Sequence, residues 1–296
     1  MRWLIFALAA LMPAVPALAK DEIHRAVIAD PAADATAPAG MSACVIPSGD
    51  GAMNAVMYTA SGKAPHPTLL LLHGFPGNEQ NLDLAQAARR AGWNVLTLHY
   101  RGSWGSPGHF SFARSAEDAH VALAFLRSAE AVAKYRIDPT LIAVAGHSMG
   151  GFIAADAAAD DAAVQGLFLI DPWDIAETAA AIASPQGLAG WNRGAAGNLP
   201  PLSGTSADAL AKEMTDNRER FDLAQRLIAY GDRPLTIVGA ERGGAATARR
   251  VGGDAQSVAR RTQIQVWPTD HSFSDHRVAL ADLLVRWLIQ IAPPIG

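Results

Sequence analysis

The apolar positions of the chain fall into blocks whose period changes along the sequence. Residues 43–47 and 52–60 are mainly apolar and read as two strands around the turn Ser48-Gly49-Asp50-Gly51, which predicts an antiparallel hairpin. Residues 67–72 are almost continuously apolar, as in a strand covered on both faces. After His73-Gly74-Phe75-Pro76-Gly77-Asn78, residues 81–91 show helical spacing and stop at Gly92. The same alternation then repeats. Strands are predicted at 94–100, 141–145, 166–170, 234–239 and 263–267. Helices are predicted at 115–135, from the end of the 141–145 strand to about 159, at 246–259 and at 274–291. Strand and helix in turn imply an α/β protein, with a mostly parallel sheet between two layers of helices.

The alternation is interrupted at 175–232. This segment is too long for a plain crossover, and it combines Ala-rich stretches, a Gly/Pro-rich middle and a charged helix expected at 212–222. It reads as a helical cap inserted over the sheet of one domain, 20–296. Residues 20–40 lack any period and read as an irregular lead-in.

The first residues change the picture of where the protein works. Arg2 precedes an apolar run, and Ala17-Leu18-Ala19 forms a small-x-small cleavage site before Lys20. That is the layout of a secretory signal peptide, residues 1–19, so export to the periplasm or medium is expected, with no stable membrane anchor after cleavage. The run is too short to cross a bilayer comfortably and is interrupted by Pro13 and Pro16. Cys44 is the single cysteine, so no intrachain disulfide and no zinc-ribbon type site is expected. Half the residues are hydrophobic and the net charge is −4, with no basic cluster, which argues against a nucleic-acid partner.

The chemistry centres on Gly146-His147-Ser148-Met149-Gly150, set between an apolar strand and an Ala-rich helix. This is the G-x-S-x-G nucleophile elbow, in which a tight turn holds the serine hydroxyl above the sheet. Together with His73-Gly74-Phe75-Pro76-Gly77, the loop Tyr100-Arg101-Gly102 to Gly105-Ser106, and Asp270-His271-Ser272-Phe273, it gives the chain a resemblance to the α/β-hydrolase superfamily, most of all to its esterase and serine-peptidase-like branches. The resemblance covers nearly all of residues 20–296 and implies the α/β-hydrolase fold.

What the resemblance implies for the site follows residue by residue. Ser148 is the expected nucleophile and His271, just after the last strand, the expected base. His276 is a weaker rival because it falls inside the predicted last helix, and His147 is expected to point away from the serine. The backbone N–H groups of Phe75 and Met149 are the expected oxyanion hole. The acid usually follows the strand at 234–239, but Arg242 stands at that position. Glu241 is ranked first, Asp174 second and Asp171 third, the last two from the end of the preceding strand. Trp104, Phe110, Trp173 and Trp191 fall above the predicted strand ends, where substrates bind in α/β folds, and suggest an apolar or aromatic pocket. No phosphate loop and no metal-ligand spacing is visible, so neither cofactor nor metal is expected.

The expected activity is hydrolysis of a small-molecule ester through an acyl-serine intermediate. A serine peptidase of the same fold is the alternative among enzymes. A non-catalytic binding protein is the alternative outside them, supported by Arg242.

Overall fold

The computed structural model describes residues 22–63 and 65–292; the expected signal segment lies outside them. The chain begins with a single helical turn, α1 (Arg25–Ile28), and the hairpin β1 (Gly40–Ser48) and β2 (Gly51–Thr59). There follow β3 (His66–Leu72), α2 (Leu82–Arg90), β4 (Asn94–His99), α3 (Phe112–Leu126), α4 (Ala129–Tyr135), β5 (Ile137–His147), α5 (Met149–Asp160) and β6 (Val164–Ile170). Four helices come next: α6 (Ile175–Ala181), α7 (Pro185–Ala196), α8 (Ala207–Asp216) and α9 (Leu223–Tyr230). The chain then runs through β7 (Leu235–Arg242), α10 (Ala245–Gln256), β8 (Thr262–Asp270) and α11 (Arg277–Ile291).

Among the described residues the strands form one eight-stranded sheet in the order β1-β2-β4-β3-β5-β6-β7-β8. The hairpin pairs antiparallel, Gly40 facing Thr59 and Ser48 facing Gly51, and β2 joins β4 antiparallel. All pairings from β4 to β8 are parallel. Side chains alternate between two cores, as the pleat requires. Leu70, Leu72 and Val144 face the layer holding α3, α5, α9 and α10, while Leu69, Leu71, Ala143 and Ala145 face α2 and α11. Each fully buried leucine contributes roughly 1.5–3 kcal/mol, so the continuous apolar runs secure the sheet. Among the described residues no helix is long and apolar enough to cross a membrane.

Capping residues explain where the helices depart from the sequence expectation. The helix expected at 115–135 starts earlier, because Ser111 accepts from the Arg114 N–H at 3.1 Å. It also breaks in two, because Ser128 begins a new helix by accepting from the Ala131 N–H at 3.2 Å. The charged helix expected at 212–222 is corrected in the same way. Ser206 starts α8, which ends at Asp216, and Asp222 caps α9 by accepting from the Gln225 N–H at 3.1 Å. The segment expected as a cap therefore divides. Helix α9 packs against α5 and α10 as part of the layered fold, while α8 contacts α6, α7 and α3.

The middle of the cap is tied to the loop after β4. Trp104 donates its backbone N–H to Pro201, Phe110 to Ser203, and Ser203 to Gly102, at 2.8, 2.9 and 2.7 Å. Ser103 and Leu202 form an isolated bridge. Glu213 of α8 accepts from the Phe112 and Ala113 N–H groups at 3.0 and 2.8 Å, satisfying orphan donors at the start of α3.

Candidate active site

Ser148 occupies the turn between β5 and α5 with φ 56° and ψ −121°, a conformation costly for a residue with a side chain. Neighbours hold it there. Its N–H donates to Ile170 at 3.0 Å, and its carbonyl accepts from Gly151 and Trp173, both at 2.9 Å. The flanking glycines are steric necessities. A Cβ on Gly146 would overlap the Gly150 carbonyl, and one on Gly150 would meet the His73 carbonyl oxygen at 2.6 Å. The loop after β3 comes equally close, since a Cβ on Gly74 would sit 2.9 Å from that of Ser148. Beside it, the Phe75 N–H has no acceptor among the described residues. Met149 opens α5, so its N–H has no intrahelical acceptor either.

His271 follows β8 and is partly exposed, its Nδ1 2.6 Å from Asp171 Oδ2. An ionised carboxylate only accepts, so Nδ1 carries the proton and donates, leaving Nε2 as the basic nitrogen. Asp171 is fully buried. Its Oδ1 accepts from the Ala240 and Gly244 N–H groups at 2.7 and 2.9 Å, and Oδ2 also receives the Gly244 N–H at 2.8 Å. Charge-assisted bonds of this kind fix both the carboxylate and the ring it holds.

The ranking of acids from sequence is therefore corrected. Glu241 and Arg242 are both exposed on the last residues of β7, and Arg242 faces Asp275 at 3.8 Å. The Asp171 carboxylate reaches over from the end of β6 and fills the space beside His271. A Cβ on Gly243 would collide with it, and one on Gly244 would lie 3.0 Å from Oδ1. The glycine pair directly after Arg242 leaves the room that this carboxylate occupies. Asp174 caps α6, accepting from Ala176 N–H at 3.1 Å, and pairs with Arg250 at 2.6 Å.

His147 packs on the segment that carries His271. Its ring lies 4.6 Å from that of His271, centroid to centroid, and its Nε2 donates to the His271 carbonyl at 2.8 Å. Burial lowers its pKa to about 4, with the nearby His271 adding to the effect. A neutral imidazole thus braces the segment carrying His271. His73 is similar: Nδ1 donates to the Gly74 carbonyl at 2.7 Å, and burial lowers its pKa to about 4. His276 stands at the N-cap of α11, not inside it, with Nδ1 2.9 Å from Asp275 and its ring against Trp267.

The expected aromatics separate into two groups. Trp104 is 41% exposed and anchors the Phe75-Pro76 loop by donating Nε1–H to the Pro76 carbonyl at 2.7 Å. Phe110, Trp173 and Trp191 gather around Phe75, with ring centroids 5.9, 6.3 and 6.1 Å from it. Phe112, the first residue of α3, and Phe221, in the turn before α9, complete this cluster and were not singled out from sequence.

One polar cluster lies elsewhere. His120, Asp156 and Asp160 place ligating atoms within 4.8 Å of one another, but the Arg226 guanidinium already bonds Asp156 at 2.6 Å and Asp160 at 3.1 Å. The group is an ion-pair network joining α3, α5 and α9.

The sequence model of the alpha/beta hydrolase fold matches residues 67–266. Among solved structures, the thermostable carboxylesterase EstE1 from a metagenomic library is 19% identical, with a TM-score of 0.63 over 91% of this chain and 92% of that one. Est1E from Butyrivibrio proteoclasticus is 15% identical, with a TM-score of 0.64 over 85% of this chain and 99% of that one. The Pyrococcus furiosus esterase Pf2001 is 14% identical, with a TM-score of 0.60 over 84% of this chain and 93% of that one. No curated protein matches the chain.

Proposed function

The chain belongs to the α/β-hydrolase fold family, and from that premise we propose that it is a serine esterase with Ser148 as nucleophile, His271 as base and Asp171 as acid. The observation that carries this reading is the 2.6 Å bond from His271 to a buried carboxylate, on the same sheet edge as a strained serine.

The chemistry follows from the geometry. Ser148 Oγ attacks the acyl carbon while His271 Nε2 takes the hydroxyl proton. Asp171 stabilises the imidazolium without itself taking the proton. The Phe75 and Met149 N–H groups, neither committed to a protein acceptor, receive the oxyanion. Collapse of the tetrahedral intermediate breaks the bond to the alcohol, which leaves with the proton from His271. Water then loses a proton to His271 and attacks the acyl-serine; the carboxylic acid departs and Ser148 recovers its proton. No step calls on a cofactor. An ester is favoured over a peptide because an alkoxide leaves with less assistance than an amine.

Esterase neighbours at this level of identity support the fold, and the substrate rests on the site. The residue pattern of 1–19 supports export as part of the same proposal. The test is labelling with a fluorophosphonate. Stoichiometric modification of Ser148, lost in Ser148→Ala with an unchanged circular dichroism spectrum, is expected. Absence of any label identifies a binding protein and overturns the reading.

A further inference from the structure

We infer that Trp191 is a specificity-determining residue that restricts the acyl group carried on Ser148 to short chains. The inference rests on the esterase reading and adds the substrate class.

The direction of the acyl group comes from the sheet. Ser148 ends β5; β3 and β4 lie to one side of it, and β6, β7 and β8 to the other. Asp171 and His271 follow β6 and β8. The leaving alcohol must sit near His271 Nε2, which protonates it. Around a tetrahedral carbon the acyl substituent is then directed away from His271, toward the ends of β3 and β4.

That side is walled by rings. Phe75 follows β3, Phe110 and Phe112 follow β4, and α7 brings Trp191 from the cap. Phe75 lies next to Gly74, which touches Ser148, and the Trp173 N–H donates to the Ser148 carbonyl, so the backbone carrying each ring adjoins the serine. Trp191 stacks on Phe75 at 6.1 Å and 29°, and on Trp173 at 6.1 Å and 26°. Two near-parallel rings need about 7 Å between them to admit a chain, twice the contact distance of carbon atoms. Neither gap reaches it. Phe110 and Phe112 are buried, pack on Phe75 and belong to the main core, so the wall has little room to recede. The Trp191 Nε1–H donates to the Ala207 carbonyl at 2.9 Å, which holds the indole in place. A short acyl group fits beside such a wall without displacing a ring.

Trp191 differs from the other rings in its origin. Phe75 and Trp173 carry backbone that supports the serine, and Phe112 fills the core. Trp191 alone comes from a cap helix and is half-buried. Shortening it opens the wall and leaves the backbone around Ser148 intact.

The experiment compares p-nitrophenyl acetate, butyrate, octanoate and decanoate, so that the leaving group stays constant. The natural protein should lose at least about tenfold in kcat/KM from butyrate to octanoate, within the range of pocket discrimination by chain length. Trp191→Ala should raise the octanoate-to-acetate ratio at least about tenfold, and Trp191→Phe should keep the order of the natural protein. Trp191→Leu, which retains an apolar side chain on α7, carries the same test if the alanine variant does not fold. Efficient octanoate hydrolysis by the natural protein, or an unchanged ratio in the shortened variants, overturns the inference. Fluorophosphonate labelling separates the two failures: labelled protein with the wrong chain profile removes only the role of Trp191, whereas unlabelled, inactive protein removes the esterase reading with it.

Discussion

The two flanks of Ser148 are built on opposite principles. Toward β6–β8, hydrogen bonds fix every group: Asp171 accepts two backbone N–H groups and the His271 ring, and His147 donates to the His271 carbonyl. On the other flank, Phe75, Phe110 and Phe112 after β3 and β4 meet Trp191 of the cap and Trp173 from the loop after β6, at centroid distances of 5.4 to 6.3 Å with few polar bonds among them. Hydrogen bonds have narrow distance and angle requirements, whereas apolar packing tolerates exchange of one shape for another at modest cost. Under the proposed function, the polar flank sets whether the reaction occurs, and the aromatic flank sets which substrate enters.

The largest expected effects test the polar flank. Ser148→Ala and His271→Gln should each lower ester turnover on the order of 10⁵-fold, measured as kcat at saturating p-nitrophenyl acetate. Retained turnover in either variant moves the chemistry elsewhere. Asp171→Asn should cost about 10³- to 10⁴-fold, because the amide favours the wrong histidine tautomer while the oxyanion donors survive. Glu241→Gln and Asp174→Asn, assayed beside it, should stay within a few-fold of the natural protein. A collapse of either, with Asp171→Asn active, would reinstate an acid that the geometry leaves outside the site.

A smaller effect sharpens the contrast through pH. The folded-state pKa of His147 is about 4, below the usual 6.5 of a free histidine. The unfolded chain therefore binds a proton that the folded one refuses, and stability falls as pH drops from about 6.5 toward 4. The slope per histidine reaches about 1.4 kcal/mol per pH unit. His147→Phe should flatten urea-derived stability between pH 6 and pH 5 by up to that amount, while Trp191→Phe on the other flank leaves the slope unchanged. An unaltered slope in His147→Phe would mean that the ring takes up its proton without unfolding.

The sequence was readable where one local pattern decides the structure. The elbow, the hairpin and the parallel strands follow from glycine spacing and hydrophobic period, which act within a few residues. Asp171 was ranked last of three because its bond to His271 reaches across the end of a neighbouring strand, 100 residues before its partner. Ranking by position after a strand gave Glu241, whereas contact gives Asp171. The partner of His147 was not legible for the same reason, since nothing within the elbow announces the His271 carbonyl. The helix breaks at Ser128 and Asp222 were legible as caps, but continuous helical periodicity masked them. The cap was legible as an interruption, and its division between α8 and α9 was not, because α9 has the amphipathic pattern of either a cap or a core helix.

The backbone links between residues 102–110 and 201–203, with Glu213 capping α3, have a consequence for modular redesign. A cap exchanged alone would leave the Trp104 and Phe110 N–H groups without acceptors and the first turn of α3 without its carboxylate. The smallest transplantable unit is a pair of segments, the loop after β4 together with the chain from α6 to the end of α8. Any lineage that diversified this cap by recombination would have had to carry both segments across together, or replace the missing acceptors one at a time.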